Sequence, residues 1–170
     1  MASSFSTNLG VEVMASGEKS GTWGDITNFN LNIVDRLVSL GDLTASDTTT
    51  DLRIRLDSPV SGSSNVQTGM FSVINVKDSG SDLGGNNTVT IAPNTASKFF
   101  IIKNSLSGSR SAIITQGSGS TVTIANGNTD IVFCDGAGSG AAVTSVGDSI
   151  QLTNNAAIAA EATSLAIALG

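Results

Sequence analysis

Between Leu52 and Asn154 nine short runs rich in β-branched and aliphatic side chains follow one another, parted by stretches dominated by Gly, Asn, Ser and Pro. They are LRIRLD (52–57), MFSVINV (70–76), NTVTIAP (87–93), KFFIIKN (98–104), SAIITQ (111–116), STVTIAN (120–126), TDIVFCD (129–135), AAVTSV (141–146) and SIQLTN (149–154). So many strand-length runs in about a hundred residues predict a mainly β body, an antiparallel β-sandwich or jelly roll. LRIRLD and STVTIAN alternate cleanly, as in a sheet wet on one side, whereas FFIIK and DIVFC are continuous and read as central. Composition agrees. Only 13% of residues are charged, while Ser and Thr number 43, Asn 14 and Gly 19, so hydroxyls and amides must supply the solvation and turn chemistry.

Ahead of the body the pattern differs. Residues 1–24 lack helical periodicity, and Leu9, Val11 and Val13 alternate as an extended arm does. From Asp25, read as an N-cap, to Gly41, read as a stop, Ile26, Phe29, Ile33, Leu37 and Leu40 recur at three and four. Leu31, Val34 and Val38 widen the apolar arc to roughly 200°, where one core-facing side needs about 100°. Two surfaces must therefore cover this helix, and Asn30, in mid-arc, needs a specific partner of the kind that fixes register between associating chains. The reading is an arm and helix for docking (1–41), a linker (42–51), a β-sandwich body (52–154) and a C-terminal oligomerisation tail (155–170). In that tail Ile158, Ala162, Leu165 and Leu169 suit a helical seam, while Leu165, Ile167 and Leu169 also alternate as a strand.

Chemistry is scarce. There is no His, no Tyr, one Cys, and Glu only at 12, 18 and 161, which removes the commonest general base, imidazole ligation and thiolate clusters. Neither a catalytic residue nor a cofactor or metal is expected. Cys134 reads as inert core. The GAGSG segment at 136–140 lacks phosphate-loop spacing and reads as a hairpin turn. Asp78, Asp82, Asn86 and Asn87 could offer oxygens to Ca²⁺, though a plain loop of turn formers is the simpler reading. A net charge of −6 without a basic stripe argues against nucleic acid, and no long apolar run argues for membrane insertion; a soluble protein made in a cytoplasm is expected. Trp23, amid small and polar neighbours, is either a plug against its own chain or an interface anchor.

The segment GEKSGTWGDITNFNLN (17–32) resembles the TGE-x-SGTWG-x-x-TN-x-N stretch near the start of tail-fibre-like virion proteins of tailed bacteriophages, especially marine ones. STVTIANGNTDIVFCDGAG (120–138) is similar to a strand, turn and strand ending in CDG in the same proteins. The resemblance implies a non-enzymatic virion component, made in the bacterial host, attached to the particle through its N-terminal region and assembled as a homo-oligomer, usually a trimer. Family members generally run further toward a receptor-binding tip, so a short adaptor, or a capsid decoration or head fibre, is also open. The interface would use Trp23, Ile26, Phe29, Asn30, Ile33 and Leu37, with Ile158 and Leu165 in the tail, and its partners would be copies of itself and other tail or capsid proteins. A rival of another class is a carbohydrate-binding module reading a host surface glycan, for which the supply of aromatic rings is thin.

Overall fold

The computed structural model describes residues 3–147. A short antiparallel pair, β1 (Ser4–Phe5) and β2 (Glu12–Val13), is followed by a single helix, α1 (Trp23–Arg36). Then come β3 (Leu40–Ala45), β4 (Thr49–Arg53), β5 (Val73–Asp78), β6 (Asn87–Ala92), β7 (Lys98–Asn104), β8 (Ala112–Thr115), β9 (Val122–Ile124), β10 (Thr129–Cys134) and β11 (Val143–Ser145). The body is mainly β, as the run pattern predicts.

The strands pair differently from the expectation. One sheet has the order β11-β10-β7-β5-β3 and the other β4-β6-β8-β9. From β3 to β8 the chain lays one strand in each sheet alternately, so that β3, β5 and β7 are parallel to one another, as are β4, β6 and β8. Within these two sheets only the pairings made by the last strands, β9, β10 and β11, are antiparallel. The chain winds as a two-sheet coil closed at one end by returning strands, rather than as an all-antiparallel sandwich. Residues of period two dictate which side chains face inward, but not which strand lies alongside.

The inner faces share one core. Leu43, Ile74, Val76, Phe100, Ile102 and Val132 come from the first sheet, and Leu52, Val89, Ile91, Ala112, Ile114 and Ile124 from the second. Residues 42–51, expected as a linker, supply β3 and β4 instead. Leu43, Ala45 and Leu52 are buried there, Asp42, Thr44, Thr49 and Asp51 take the outward positions, and Thr50 turns inward to accept from Asn87. Gly41, expected to end the helix, lies inside β3, where the Phe71 ring packs so closely that a Cβ would sit 2.6 Å from its Cγ. The helix itself ends at Arg36, and the chain turns through Leu37–Ser39 with N–H groups of Leu37, Val38 and Ser39 reaching back to Val34, Asp35 and Arg36 carbonyls.

Buried amides stitch the corners of the coil. Fully buried Asn104 donates to the carbonyls of Arg110 and Ile124 and accepts from the Leu106 N–H. Gln116 donates to Pro93 and Ala96 carbonyls and accepts from Gly136 N. A short three-residue turn at Thr68–Met70 is held by Lys98, whose Nζ donates to the carbonyls of Gly69 (2.8 Å), Met70 (2.6 Å) and Phe71 (2.8 Å). Burial pushes that lysine down to about 7, while three carbonyl acceptors in place suit the three donors of an ammonium.

Candidate docking face

The segment 17–32 builds two things: a clasp for the arm, and a helix with an uncovered side. Gly17 and Gly21 both take positive φ, making the tight turns around Glu18, Lys19 and Ser20 that their positions suggest. Glu18 then accepts from the N–H groups of Ser3 (2.9 Å) and Ala15 (3.2 Å), pinning the arm at two points. Lys19 reaches Glu12 at 3.4 Å and donates to the Ser61 hydroxyl at 3.0 Å, and Ser61 donates to Glu12 at 2.7 Å. Burial pushes the Glu12 carboxyl up, yet the Ser61 hydroxyl and the Lys19 ammonium outweigh it and hold the group below the usual carboxylate range. Glu18 is also held low: burial again pushes up, and the Ala15 and Ser3 N–H groups pull down.

Asn30 completes the clasp. Its Oδ1 accepts from Glu12 N (3.1 Å) and its Nδ2 donates to Glu12 O (2.9 Å), so the amide replaces a strand partner for β2. The expectation that Asn30 sets register between chains is therefore corrected: it sets the register of the chain's own arm on its own helix. An amide has one donor and one acceptor edge, the same pair that a backbone offers, and the nearest backbone takes it.

Because Glu12 and Glu18 both have folded-state values below their free values, their contribution to arm attachment is complete above about pH 4.5 and is lost as pH falls through the lowered values. Cleavage of the arm by pepsin is expected to rise on going from pH 4.5 to pH 3, in advance of cleavage in the strands. Equal susceptibility of arm and strands across that range would show that the carboxylates do not hold the arm.

The helix divides its apolar residues between two sides. Ile26 and Ile33 are buried against the chain, with Phe29 and Leu37 half-buried beside them. Arg36 lies over the Phe71 ring, 4.6 Å from its centroid, and donates to the Gln67 carbonyl. An open cleft of about 420 Å³ remains between this side and residues Ser63 and Val66. On the other side Trp23 is 63% exposed, Leu31 59%, Val34 54% and Val38 84%. At about 100° per residue Trp23, Thr27, Leu31 and Val34 fall within about 80° of one another, and Val38 follows in the turn beyond the helix. Within α1 Thr27, Leu31 and Val34 succeed one another at four and three, the spacing of an interhelical seam, and exposed Val38 lies just past the end of the helix. No charged residue lies in the arc; Asp25, Asp35 and Arg36 all project outside it.

Placed against the sequence expectations, Ile26, Phe29, Ile33 and Leu37 belong to the covered side, and Trp23 to the bare one. The plug reading of Trp23 does not hold, since most of the ring is in solvent. Leu40 lies in β3 and is exposed, not on the helix. Asp25 is not the N-cap: the helix begins at Trp23 with Thr22 in the cap position, and Asp25 sits in the first turn, where a negative charge meets the positive end of the helix dipole. Ile158 and Leu165 lie outside the described residues. Leu31, Val34 and Val38 were legible as part of a wide arc, but which half the body covers depends on the loop at 61–71, and helical periodicity carries no information about that loop.

The remaining candidate groups are spent on structure. Asp78 accepts from Gly80 N and Ser107 N, Asp82 pairs with Arg110 at 2.9 Å, Asn86 accepts from Ser111 N, and Asn87 donates to Asp47 O and Thr50 Oγ1. A guanidinium thus stands where Ca²⁺ would need Asp82. Among the described residues no cluster of three acidic, Cys or His side chains could hold a metal. The Gly136–Gly140 segment links β10 to antiparallel β11 as a hairpin, with Asp135 accepting from Ala137 N and Ala142 N. Cys134 is fully buried, its thiol donates to the Lys98 carbonyl at 3.1 Å, and burial pushes its pKa up, away from the reactive thiolate. Among the described residues no helix is long and apolar enough to cross a membrane. Set beside known proteins, the chain matches no family model, no curated protein and no solved structure, which leaves the bare side of α1 to speak for its function.

Proposed function

We propose that this chain is a non-enzymatic structural component of a bacteriophage particle, tail-fibre-like or an adaptor, whose copies associate through the bare side of α1. The observation that carries the reading is the stripe of Thr27, Leu31 and Val34 with Trp23 at its head and Val38 just beyond the helix, which the described residues do not cover. A small stable domain seldom exposes a continuous apolar stripe unless something covers it. The stripe's lack of charge matters as well. Around a symmetry axis like meets like, so a charged residue would face its own copy, whereas an uncharged seam meets itself without repulsion even in a chain of net charge −6. The resemblance of residues 17–32 to virion proteins falls on this helix and the clasp beneath it, and supports three as the number of copies and the particle as the destination. The clasp then has a mechanical role: it fixes the arm so that the seam presents one rigid surface.

Light scattering on the full chain at tens of micromolar tests this. The expected mass is three times the 17.1 kDa of one chain. A mass of 17.1 kDa across that range rejects self-association, and a purified oligomer absent from assembled particles rejects the virion role.

A further inference from the structure

The outward face of the first sheet is a second apolar surface that the described residues leave bare, and it begins where α1 ends. Register places Leu40, Val73, Ile101 and Ile131 side by side across four strands. Phe99 and Phe133 sit opposite each other two residues away along β7 and β10, 58% and 41% exposed. The row is entered at exposed Leu40, two residues beyond exposed Val38, with only Ser39 between them, so the bare side of α1 runs on into the sheet with no charge in the way. The next row the other way is polar, with Lys103 beside Asn75 and Asn75 beside Asp42. Asp42 is already engaged by Asn75 and Lys77, whereas exposed Lys103 has no carboxylate partner among the described residues.

We propose that this face receives α1 of a neighbouring copy, a contact that rests on the association through α1 and supplies its second half. The seam still meets its counterparts at the symmetry axis, and its Leu31 edge also lies on the neighbour's sheet. Symmetry asks for such a pair of surfaces. In a closed ring of three, only residues at the axis meet their own counterparts, and every contact away from it joins two different patches. Here one patch is the helix and the other is the sheet face that continues from it. Area points the same way. Trp23, Leu31, Val34 and Val38, each more than half exposed, offer at most about 500 Å² together, short of the roughly 800 Å² per partner that a standard stable interface buries. The sheet face supplies the remainder. Charge selects the helix as the occupant. Asp35 projects about 40° beyond Leu31 at the border of the stripe, exposed and with no cationic partner among the described residues. Lys103 borders the apolar row in the same state, so the helix of one copy and the sheet of the next each bring the charge that the other lacks. A pair of that kind at the rim fixes register and orientation more than it adds affinity.

The test uses the full chain, at the concentration of the scattering measurement, with a photoreactive benzoylphenylalanine replacing Phe99, and the same group replacing Asp51, exposed on β4 of the other sheet, as reference. After irradiation the products are weighed under denaturing conditions and the joined residues are located by fragment sequencing. Expected is a product of twice the chain mass, joined within residues 23–38 of the second copy and at least about tenfold more abundant from position 99 than from position 51. A product of single-chain mass alone overturns the proposal. So do a two-chain product joined elsewhere, equal yields from both positions, or no crosslink at all. The scattering mass tells this failure from that of the α1 contact: a trimer's mass without the expected product removes only the sheet contact, and a mass of 17.1 kDa removes both.

Discussion

The double substitution Leu31→Glu with Val34→Glu is expected to convert the assembled protein to a monomer of 17.1 kDa while leaving the fold intact. The two effects separate because both side chains are more than half exposed in the single chain, so replacing them removes little burial from the monomer, and surface changes of that kind stay within about 0.5 kcal/mol. In the assembly the same two positions would face their counterparts. A carboxylate there loses its hydration and meets copies of itself, at a cost of several kcal/mol. At 1.4 kcal/mol for each factor of ten, association weakens by at least on the order of a hundredfold. Sedimentation velocity gives the mass, and a thermal melt of the same sample at a concentration where wild type is dissociated gives the monomer's stability. Unchanged mass with both glutamates in place would remove α1 from the interface. Trp23 offers an internal check, because the only tryptophan in the chain should emit at shorter wavelength when assembled and return to a solvent-exposed spectrum in the variant.

How far the sequence foretold these features varies along the chain in ways that have physical causes. The runs at 87–92, 98–104 and 129–134 are visible because each carries large inward residues such as Val89, Ile91, Phe100, Ile102 and Val132. The strand β3 and the start of β4 are hidden, with the run at 52–57 catching only Leu52 and Arg53 of β4, because their inward residues are few and in part small. Gly41 makes room for Phe71, Ala45 is flanked by Thr and Ser, and Leu52 is the only large side chain that β4 buries. The direction of pairing is hidden for another reason. Asn126–Gly127 has the composition of a hairpin turn, and Asn128 N does bond Ala125 O, yet the strands on either side belong to different sheets. A turn signal states that the chain reverses, not which neighbour it reverses onto. Lys98 shows the same limit at the level of one residue. Alternation along KFFIIKN puts it on the inward face with Phe100 and Ile102, but only the presence of the Thr68–Met70 turn explains how an ammonium survives there. The docking face was half legible. The wide apolar arc is a property of the helix alone, whereas the capture of Asn30 by the arm requires knowing that residue 12 returns to lie beside residue 30.

Asn104→Ala is expected to lower stability by about 3 to 5 kcal/mol, the largest loss from any polar side chain in the body. The residue lies at the end of β7, where the chain leaves the first sheet, and its side chain is wholly inside. Its three bonds, at 2.9, 2.9 and 3.0 Å, go to backbone groups of Arg110, Ile124 and Leu106. Truncation removes one bond from each of three backbone groups, those of Ile124 and Leu106 buried and that of Arg110 part-buried, and a stranded buried group costs about 1 to 3 kcal/mol. The joint effect falls below the plain sum because the corner relaxes, and because part of the loss is a cavity that neighbouring Leu106 can enter. Against a total of about 5 to 15 kcal/mol for a domain of this size, a loss of that order moves the midpoint of urea unfolding well outside error. Asn104→Asp should be no milder, since it aims a carboxylate at the carbonyls of Arg110 and Ile124. Asn86→Ala provides the contrast, removing one exposed bond to Ser111 N and costing less than about 1 kcal/mol. If Asn104→Ala and Asn86→Ala unfold at the same urea concentration, then buried amides are not what closes this coil, and the high Asn content of the chain has some other cause.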